Sequence, residues 1–510
     1  MASESVESER VTAHLRVPEP GEPLQFDDIQ GLAFFGYGHL KAARYVFLRV
    51  EMGGQLLARA WLRTLVDQVT TAKLKQQEGI IPDSALNLAF SAQGLEALGV
   101  GPSALNTFLQ EFREGMAHPR RSRILGDTGE SAPDSWQFGS PRAPVHFMLI
   151  LFAPTQRALE ALHAAHRQGY AEGAGVREVF IQDTRLRAEN KEPFGFRDGI
   201  SFPYIAGVPT SRPRAALGPA TPAGEFILGY RNAYGQQAFT PRVGRDEDPE
   251  DLLPGVPGES AYKDLGRNGS YLVVRKLRQD VRGFRAFLEE HGPSGAPEDA
   301  PRRREWLAAK LVGRWQSGAP LMLRPDHDDR ALGKDDERNN DFGFAGDPRG
   351  LRCPFSSHIR RANPRDALEG VSPEESRALV GTHLLVRRSR PYRERLRDAG
   401  AVERGILFVA LNADLARQFE FIQQTWLNNP KFHSLHDTRD PIVGNNHDAQ
   451  QAQDPLLGRN NPEDYSAVIP AEPFRIRMTG LPRFVHTRGG EYFFLPGIRS
   501  LRYLTAMTTH

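Results

Sequence analysis

An apolar run bounded by two prolines places the tightest constraint on how this chain can fold. Residues 145–153 are almost all aliphatic or aromatic, and Pro144 and Pro154 stand at either end. The run is far shorter than the roughly 20 residues that a membrane-spanning helix needs, and prolines commonly mark the ends of strands. It therefore predicts a buried β-strand. A second run, residues 405–411, predicts a central strand later in the chain.

Helix-like and strand-like patterns alternate around these runs. Apolar residues at helical spacing predict helices over 58–75 and 155–168, and a strand is predicted over 176–181. A long helix is predicted over 415–427. Because the chain lacks a regular βαβ rhythm with phosphate-loop glycines, we predict an α+β fold made of two ferredoxin-like halves with antiparallel sheets.

A change in composition divides the chain. Residues 210–257 are rich in proline, glycine and polar residues, which is typical of a junction between two units. We expect a flexible polar tail over residues 1–25, an N-terminal ferredoxin-like domain over 26–215, and a C-terminal ferredoxin-like domain with long loops over 216–510.

Charge and cysteine content exclude several classes of function. The chain has 65 Lys and Arg against 63 Asp and Glu, and a formal net charge of +2 gives no reason to expect a nucleic acid or an anionic membrane as partner. Its single cysteine, Cys353, excludes an intramolecular disulfide and a cysteine-ligated metal cluster. Residues 1–20 show no apolar signal-peptide core, and we expect a cytoplasmic protein.

The first candidate site surrounds a histidine between two prolines. Pro354 suits the start of a helical turn, and Pro364 disfavours helical geometry just before it, so His358 is expected on a short, stiffened helical piece. Three arginines nearby suit an anionic ligand. The segment indicates a metal or cofactor site, with a surface loop and an incidental histidine as the alternative. The arginines are Arg360, Arg361 and Arg365.

Two further stretches could supply catalytic groups. Gly195 and Gly199 bracket Asp198 in a G-x-x-D-G arrangement, where glycines let the backbone turn sharply beside a ligand. An aspartate in an apolar surround can exchange protons, although a turn aspartate bonded to its own backbone is the common alternative. Arg387 follows an apolar strand and is expected either to stabilise negative charge in a pocket or to lie in a solvated basic loop. His383, on that strand, is expected to be a core histidine.

Together these stretches resemble the dye-decolorising haem peroxidases. Both family signatures are present, G-x-x-D-G at 195–199 and H-I-R-x-x-N-P-R at 358–365. The chain is similar to the larger bacterial and fungal branch of the family, with one departure, since Arg393 stands where a glycine often follows the Pro-Tyr pair. The resemblance extends over most of the chain in the family's order. It also includes residues 224–232, 268–275, 387–392, 405–410, 419–426 and 440–444.

The resemblance implies a role for each candidate residue. His358 corresponds to the proximal ligand of the haem iron. Asp198 corresponds to the distal acid–base group that moves a proton between the peroxide oxygens, and Arg387 to the distal arginine that stabilises the leaving hydroxide. The other implied haem neighbours are Arg360, Arg361 and Arg365 at the propionates, Ile406 and Phe408 in the distal wall, Ser389 near the distal arginine, and Asp440 on the proximal imidazole.

These roles imply a haem b peroxidase whose cofactor is bound mainly by the C-terminal half. It would reduce hydrogen peroxide and oxidise bulky organic donors such as dyes and phenols. One alternative is a haem-binding protein of the same fold that releases or transports haem iron, which would keep His358 but need no functional Asp198. A second alternative is a non-enzymatic interaction protein of the α+β class, which would bind no haem. The physiological donor and the oligomeric state do not follow from the sequence.

Overall fold

The fold is that of a computed structural model of the 510-residue chain. The structure describes residues 22–75, 81–171, 173–209, 220–291, 299–395, 401–446 and 465–507. The expected tail over residues 1–25 therefore lies outside the described residues except for its last four positions. The expected domain boundary between residues 215 and 216 also lies outside them.

Antiparallel strands form the framework of the molecule. They are β1 (Ala42–Val50), β2 (Ala85–Phe90), β3 (Phe147–Ala153), β4 (Val176–Arg185), β5 (Arg242–Gly244), β6 (Gly255–Val256), β7 (Glu259–Asp264), β8 (Ser270–Gln279), β9 (Val386–Arg387), β10 (Arg390–Arg395), β11 (Val402–Asn412), β12 (Ser466–Ile469), β13 (Ile476–Thr479) and β14 (Val485–Leu495).

Helices cover the sheet and fill its connections. None of those in the described ranges is long and apolar enough to cross a bilayer. They are α1 (Gln55–Val66), α2 (Ala92–Ala97), α3 (Pro102–Leu105), α4 (Gln110–Glu114), α5 (Pro119–Leu125), α6 (Gln156–Ala171), α7 (Val281–Glu290), α8 (Ala300–Val312), α9 (Arg330–Lys334), α10 (His358–Ala362), α11 (Pro373–Gly381) and α12 (Ile498–Ala506), with two π-helical segments at Ala416–Glu420 and Ile422–Leu427.

One large sheet contains both predicted halves. Its order is β10-β11-β8-β14-β2-β3-β1-β4, and β9 also pairs with β11. The order β2-β3-β1-β4 is that of a ferredoxin-like unit, and β10-β11-β8-β14 repeats it, so the predicted α+β class and the two antiparallel halves are confirmed. The halves join where Phe494 of β14 pairs with Phe90 of β2. At the far edges, Gln182 of β4 donates to Glu394 of β10 over 3.4 Å, which closes the sheet into a barrel.

Two apolar cores lie on the two sides of this sheet. Inside the barrel, residues from many strands pack together, among them Phe47, Ile150, Val409 and Phe493. On the outer side of the N-terminal half, Leu149 packs in a second core with apolar residues of α1 and α12. Strand β3 is buried along its whole length because both of its faces are covered, which confirms the strand predicted from the proline-bounded run.

A long connection between β8 and β9 distinguishes the C-terminal half. It contains α7 to α11 and therefore the His358 segment. Helix α10 has only five residues, and the backbone at Asn363 is non-helical, with φ −152° and ψ 85°. This confirms the short helical piece expected before Pro364. The helix predicted over 415–427 is present, but as the two π-helical segments, whose wider turns periodicity alone does not reveal.

Candidate active site

A cavity of about 900 Å³ lies against the outer face of the C-terminal half of the sheet. Strands β8 and β11 form one wall, to which they present Leu277, Ile406 and Phe408. The alternate residues of β11, such as Leu407 and Val409, face the barrel interior. The volume is at the upper end of the range for ligand and cofactor sites, roughly 300–1,000 Å³.

The Asp198 loop has the turn geometry that its glycines predict. Gly195 and Gly199 have φ angles of +104° and +77°, in the left-handed region that residues with a Cβ rarely adopt. The backbone N–H of Gly199 donates to Asp198 Oδ1 over 2.7 Å. The local bond of the turn alternative is therefore present, yet Asp198 also lines the cavity, with 31% of its side chain exposed.

A buried carboxyl supports this loop. Glu192 accepts hydrogen bonds from the backbone N–H groups of Phe196 and Phe194, over 2.8 and 2.9 Å, and from Gln279 over 2.6 Å. Burial raises the pKa of Glu192, and these hydrogen bonds oppose the rise. Sequence reasoning missed this residue, because it precedes the glycine motif and carries no signature of its own.

Arg387, in the two-residue strand β9, completes a pair with the aspartate. Its Nη1 donates to Asp198 Oδ1 over 3.1 Å. The pairing of Arg387 with Ala410 of β11 fixes the position of its backbone. About a third of the Arg387 side chain is exposed, and it lines the cavity instead of lying in the solvated loop of the alternative interpretation.

His358 is the first residue of α10 and lines the same cavity. Its Nδ1 lies 2.9 Å from Asp440 Oδ2. The Asp440 side chain is fully buried, and its Oδ1 accepts from the backbone N–H groups of Ile442 and Val443, over 2.9 and 2.8 Å. Within the described ranges Nε2 of His358 has no hydrogen-bond partner. Because Asp440 engages Nδ1, Nε2 is the ring atom available to a metal ion.

The charges of these groups act on one another. Burial disfavours the imidazolium form of His358, but the Asp440 carboxylate outweighs burial and raises the pKa of His358. Burial also opposes the charge of Asp440, and the His358 ring outweighs it, so that the pKa of Asp440 is lowered. Arg387 and Asp198 act on the pKa of His358 as well, in opposite directions, which is expected of groups around one cavity.

The structure brings most of the predicted site residues together. Asp440 contacts the Nδ1 side of the His358 ring. Ser389 lies at the cavity wall and accepts a hydrogen bond from the backbone N–H of Val409 over 3.2 Å. His383 also lines the cavity, but its ring stacks on Phe421 with centroids 4.0 Å apart. The predicted residues that line the cavity are Asp198, His358, Arg365, Arg387, Ser389, Ile406 and Phe408.

Two of the three arginines near His358 do not reach the cavity. Arg360 is 2% exposed, and its guanidinium donates to the Asp347 carboxylate and to two backbone carbonyls. Arg361 is fully buried and donates to three backbone carbonyls. Arg360 and Arg361, which were expected at the propionates, therefore face away from the cavity, because α10 directs both side chains into the protein, where they fix neighbouring loops.

Two other arginines line the cavity, the half-buried Arg365 and the buried Arg314. Arg365 donates to the carbonyls of Asn340 and Phe342, over 2.9 and 2.6 Å, and Arg314 donates to backbone carbonyls and to the Asn340 side chain. In the described part of the chain no carboxylate is among their acceptors. Burial lowers the pKa of Arg365 to about 10 and that of Arg314 to about 9. Two such cations suit a ligand that carries negative charges. Sequence reasoning missed Arg314, which lies outside every recognisable motif.

Strand β8 and the π-helical segments supply further lining residues. Arg275 and Gln279 face the cavity at alternate positions of β8, but Lys276 and Arg278 of the same stretch are also charged, so the sequence does not single out the two that face the cavity. Phe419 and Trp426 come from the π-helical segments. The donor set suits haem, since haem iron needs only one or two protein ligands and His358 presents its imidazole to the cavity.

Comparisons with known proteins agree with this geometry. Residues 60–187 match the family model described as the DyP dimeric alpha+beta barrel domain. The chain is 32% identical to a dye-decolorizing peroxidase of Exidia glandulosa, over 94% of this chain and 86% of that protein. It is 34% identical to the multifunctional dye peroxidase of an Amycolatopsis species, over 92% and 91%. A crystal structure of the DyP-type peroxidase of Auricularia auricula-judae matches with a TM-score of 0.73 at 28% identity, over 95% of this chain and 100% of that one.

The fold, the cavity and these relatives define a peroxidase with a haem site. The chain belongs to the dye-decolorising peroxidase family, whose members are haem enzymes, and it is a DyP-type peroxidase. The family inferred from the two sequence signatures is thereby confirmed. Haem iron release or transport, the alternative function, is not favoured by these relatives.

Proposed function

We propose that this protein binds haem b in the cavity and uses hydrogen peroxide to oxidise bulky organic donors such as dyes and phenols. One observation carries the proposal: the pair formed by Asp198 and Arg387, 3.1 Å apart, opens on the same cavity as His358. An acid–base group, a fixed cation and an imidazole around one apolar-walled cavity are the groups that peroxide cleavage at a haem requires.

The residues around the cavity fit haem b. His358 would hold the iron through Nε2, and Asp440 would orient the imidazole through Nδ1. Arg365 and Arg314, which lack a bonded carboxylate among the described residues, would hold the propionates. Ile406, Phe408 and Ser389 would line the distal pocket. When bound, haem supplies a redox-active iron with a position open to peroxide.

Asp198 would move the proton. Reducing peroxide requires that a proton leave one oxygen and reach the other, so one nearby group must first accept it and then donate it. Asp198 Oδ1 is occupied by the N–H groups of Gly199 and Arg387. Its Oδ2 has no hydrogen bond with any residue in the described ranges and is the atom that would carry the proton.

Arg387 would stabilise the charge that develops as the O–O bond breaks. A guanidinium presents several donors in a fixed plane. Its bond to Asp198 aims it at the same point as the carboxylate, so the donor is in place before the reaction begins.

Most of these ligands lie in the C-terminal domain, residues 216–510, whereas Asp198 comes from the N-terminal domain, residues 26–215. We therefore propose that the C-terminal half holds most of the haem. A cytoplasmic location is also proposed, since the lone Cys353 is buried and can form no disulfide within the chain. Cell fractionation would test the location.

The double variant Asp198→Asn, Arg387→Leu tests the mechanism. It should keep its Soret band and haem content, while peroxide-dependent dye oxidation falls by at least on the order of 10²–10³, as when an electrostatic donor to the transition state is lost. The matched control is Asp67→Asn, Arg502→Leu, which removes an exposed pair 3.3 Å apart outside the cavity and should leave the rate unchanged. Dye oxidation at the parental rate in the first variant would overturn the mechanism.

A further inference from the structure

Arginines from three elements meet beside the active-site cavity, at a groove of about 300 Å³ on the outer face of the sheet. Arg282 and Arg285 of α7 and Arg404 of β11 line it, together with Ala286. Arg393 of β10 is directly opposite Arg404 in the β10–β11 pairing.

The two strand arginines repel each other, and unlike other opposed arginines they stand next to a groove that two further arginines line. Residues directly opposite in an antiparallel pair project from the same face, with β-carbons about 4.5–5.5 Å apart, and like charges there are destabilising. None of the four guanidinium groups has a hydrogen bond or ion pair with any residue in the described ranges. The groove therefore carries more positive than negative side chains, since its lining holds three arginines and one carboxylate, Glu289.

Carboxylates near this face have other partners. Glu289 lines the groove, but its Oε1 accepts from Arg304 over 2.8 Å. Glu394 and Glu403 alternate with the arginines along β10 and β11 and therefore project to the barrel side. There both of them contact Lys276 Nζ, which lies 3.3 Å from Glu403 Oε1.

We propose that this groove binds a small oxyanion, namely a carboxylate, sulfonate or phosphate, either free or as the charged end of an organic molecule. The planar guanidinium matches such groups with two parallel hydrogen bonds. Arg404 stands two residues before Ile406 on the same face of β11, so the bound anion lies roughly 7 Å along the strand from the cavity wall. The site is separate from the haem ligands and does not depend on the proposed peroxidase mechanism.

Calorimetric titration of the purified full-length protein tests this site at an ionic strength held constant with potassium chloride. Inorganic phosphate and benzenesulfonate serve as the probes. The parent should bind at least one of them saturably, and Arg393→Gln, Arg404→Gln should weaken that binding on the order of 10- to 100-fold.

A matched control is available because a second arginine pair, Arg49 of β1 and Arg177 of β4, is also directly opposite across two strands. Arg49→Gln, Arg177→Gln removes the same charge in the same local geometry and should leave the affinity unchanged. Tighter binding of phosphate indicates a free oxyanion, and tighter binding of benzenesulfonate indicates an organic anion; either supports the site. Absence of saturable binding, or equal weakening by both double variants, would overturn it.

Thermal unfolding provides a second test of the site. Removing the opposed charges of Arg393 and Arg404 should raise the midpoint of thermal unfolding without ligand, and should abolish the further rise that the bound probe gives the parent. An unchanged ligand-induced rise in the Arg393→Gln, Arg404→Gln variant contradicts the proposal.

Discussion

The outer faces of the two ferredoxin-like halves differ, although their strand orders are the same. In the N-terminal half, β3 turns Leu149 and Leu151 outward into a closed core with α1 and α12. In the C-terminal half, β8 and β11 turn Leu277, Ile406 and Phe408 outward to a cavity of about 900 Å³. The inward faces of both halves share one barrel core.

This difference shows how one topology serves both stability and function. The long connection between β8 and β9 covers the C-terminal face at a distance, carries His358 to it, and leaves room between the layers. At the N-terminal face the side chains of the sheet meet the covering helices directly. Its contribution to the site is the loop after β4, which supplies Asp198.

The largest effect on stability should come from a change in the closed core on the outer face of the N-terminal half. Leu149→Ala removes a fully buried side chain and should lower the free energy of unfolding by about 2–5 kcal/mol. The matched change Leu277→Ala, at the cavity wall, should cost less, because that side chain is already partly exposed. Chemical denaturation followed by circular dichroism measures both, and equal losses would contradict the contrast between the faces.

A carboxyl in β14, the strand that joins the two halves, should make the free energy of unfolding depend on pH. Burial raises the pKa of Glu491, in β14, to about 7 from an ordinary 4.5, against the opposing hydrogen bonds from the backbone N–H groups of Tyr492 and Met116. A raised pKa means that folding takes up a proton, so the stabilisation is present at acid pH and is lost as the pH rises from 4.5 to about 7.

Glu491→Gln should therefore increase the free energy of unfolding at pH 8 by on the order of 3 kcal/mol relative to the parent, and change it little at pH 4. Denaturation curves at the two pH values give the comparison. The same change at both pH values would show that the carboxyl does not titrate as described.

A smaller effect, on haem binding, is expected from changing Asp440, which orients His358. Asp440→Asn removes the charge behind His358 and should weaken haem binding by about 10- to 100-fold, with a shift in the iron reduction potential. Asp347→Asn is the control, since Asp347 is a carboxylate that bonds Arg360 of the same helix outside the cavity. It should change stability but not the potential. An identical shift in both variants would assign Asp440 a merely structural role.

Local patterns in the sequence were enough to predict the fold class and several of the site residues. The α+β class followed from apolar runs of strand length between helical segments, and β3 is buried as its prolines and aliphatics predict. The geometry around His358 followed from Pro364, which fixes where α10 ends. Asp198 and Arg387 were indicated by a glycine turn and a strand end, features that lie within a few residues of each side chain.

The sequence did not reveal the features of the site and the sheet that depend on contacts between distant segments. Whether an arginine near His358 faces the cavity depends on the direction of each side chain around a five-residue helix, so the sequence did not show that Arg360 and Arg361 face away from it. Arg314 and Glu192 reach the site only through tertiary packing. The fusion of the two halves into one sheet depends on the pairing of β14 with β2, which no local pattern encodes.

The role of His358 as the ligand of the haem iron is tested most directly by the variant His358→Ala. His383→Ala is the control, because His383 lines the same cavity but stacks on Phe421 and bonds the Arg417 carbonyl through Nδ1. Purified His358→Ala protein should lack the Soret band and peroxide-dependent dye oxidation, whereas His383→Ala should keep both. A Soret band of parental intensity in His358→Ala would contradict this role.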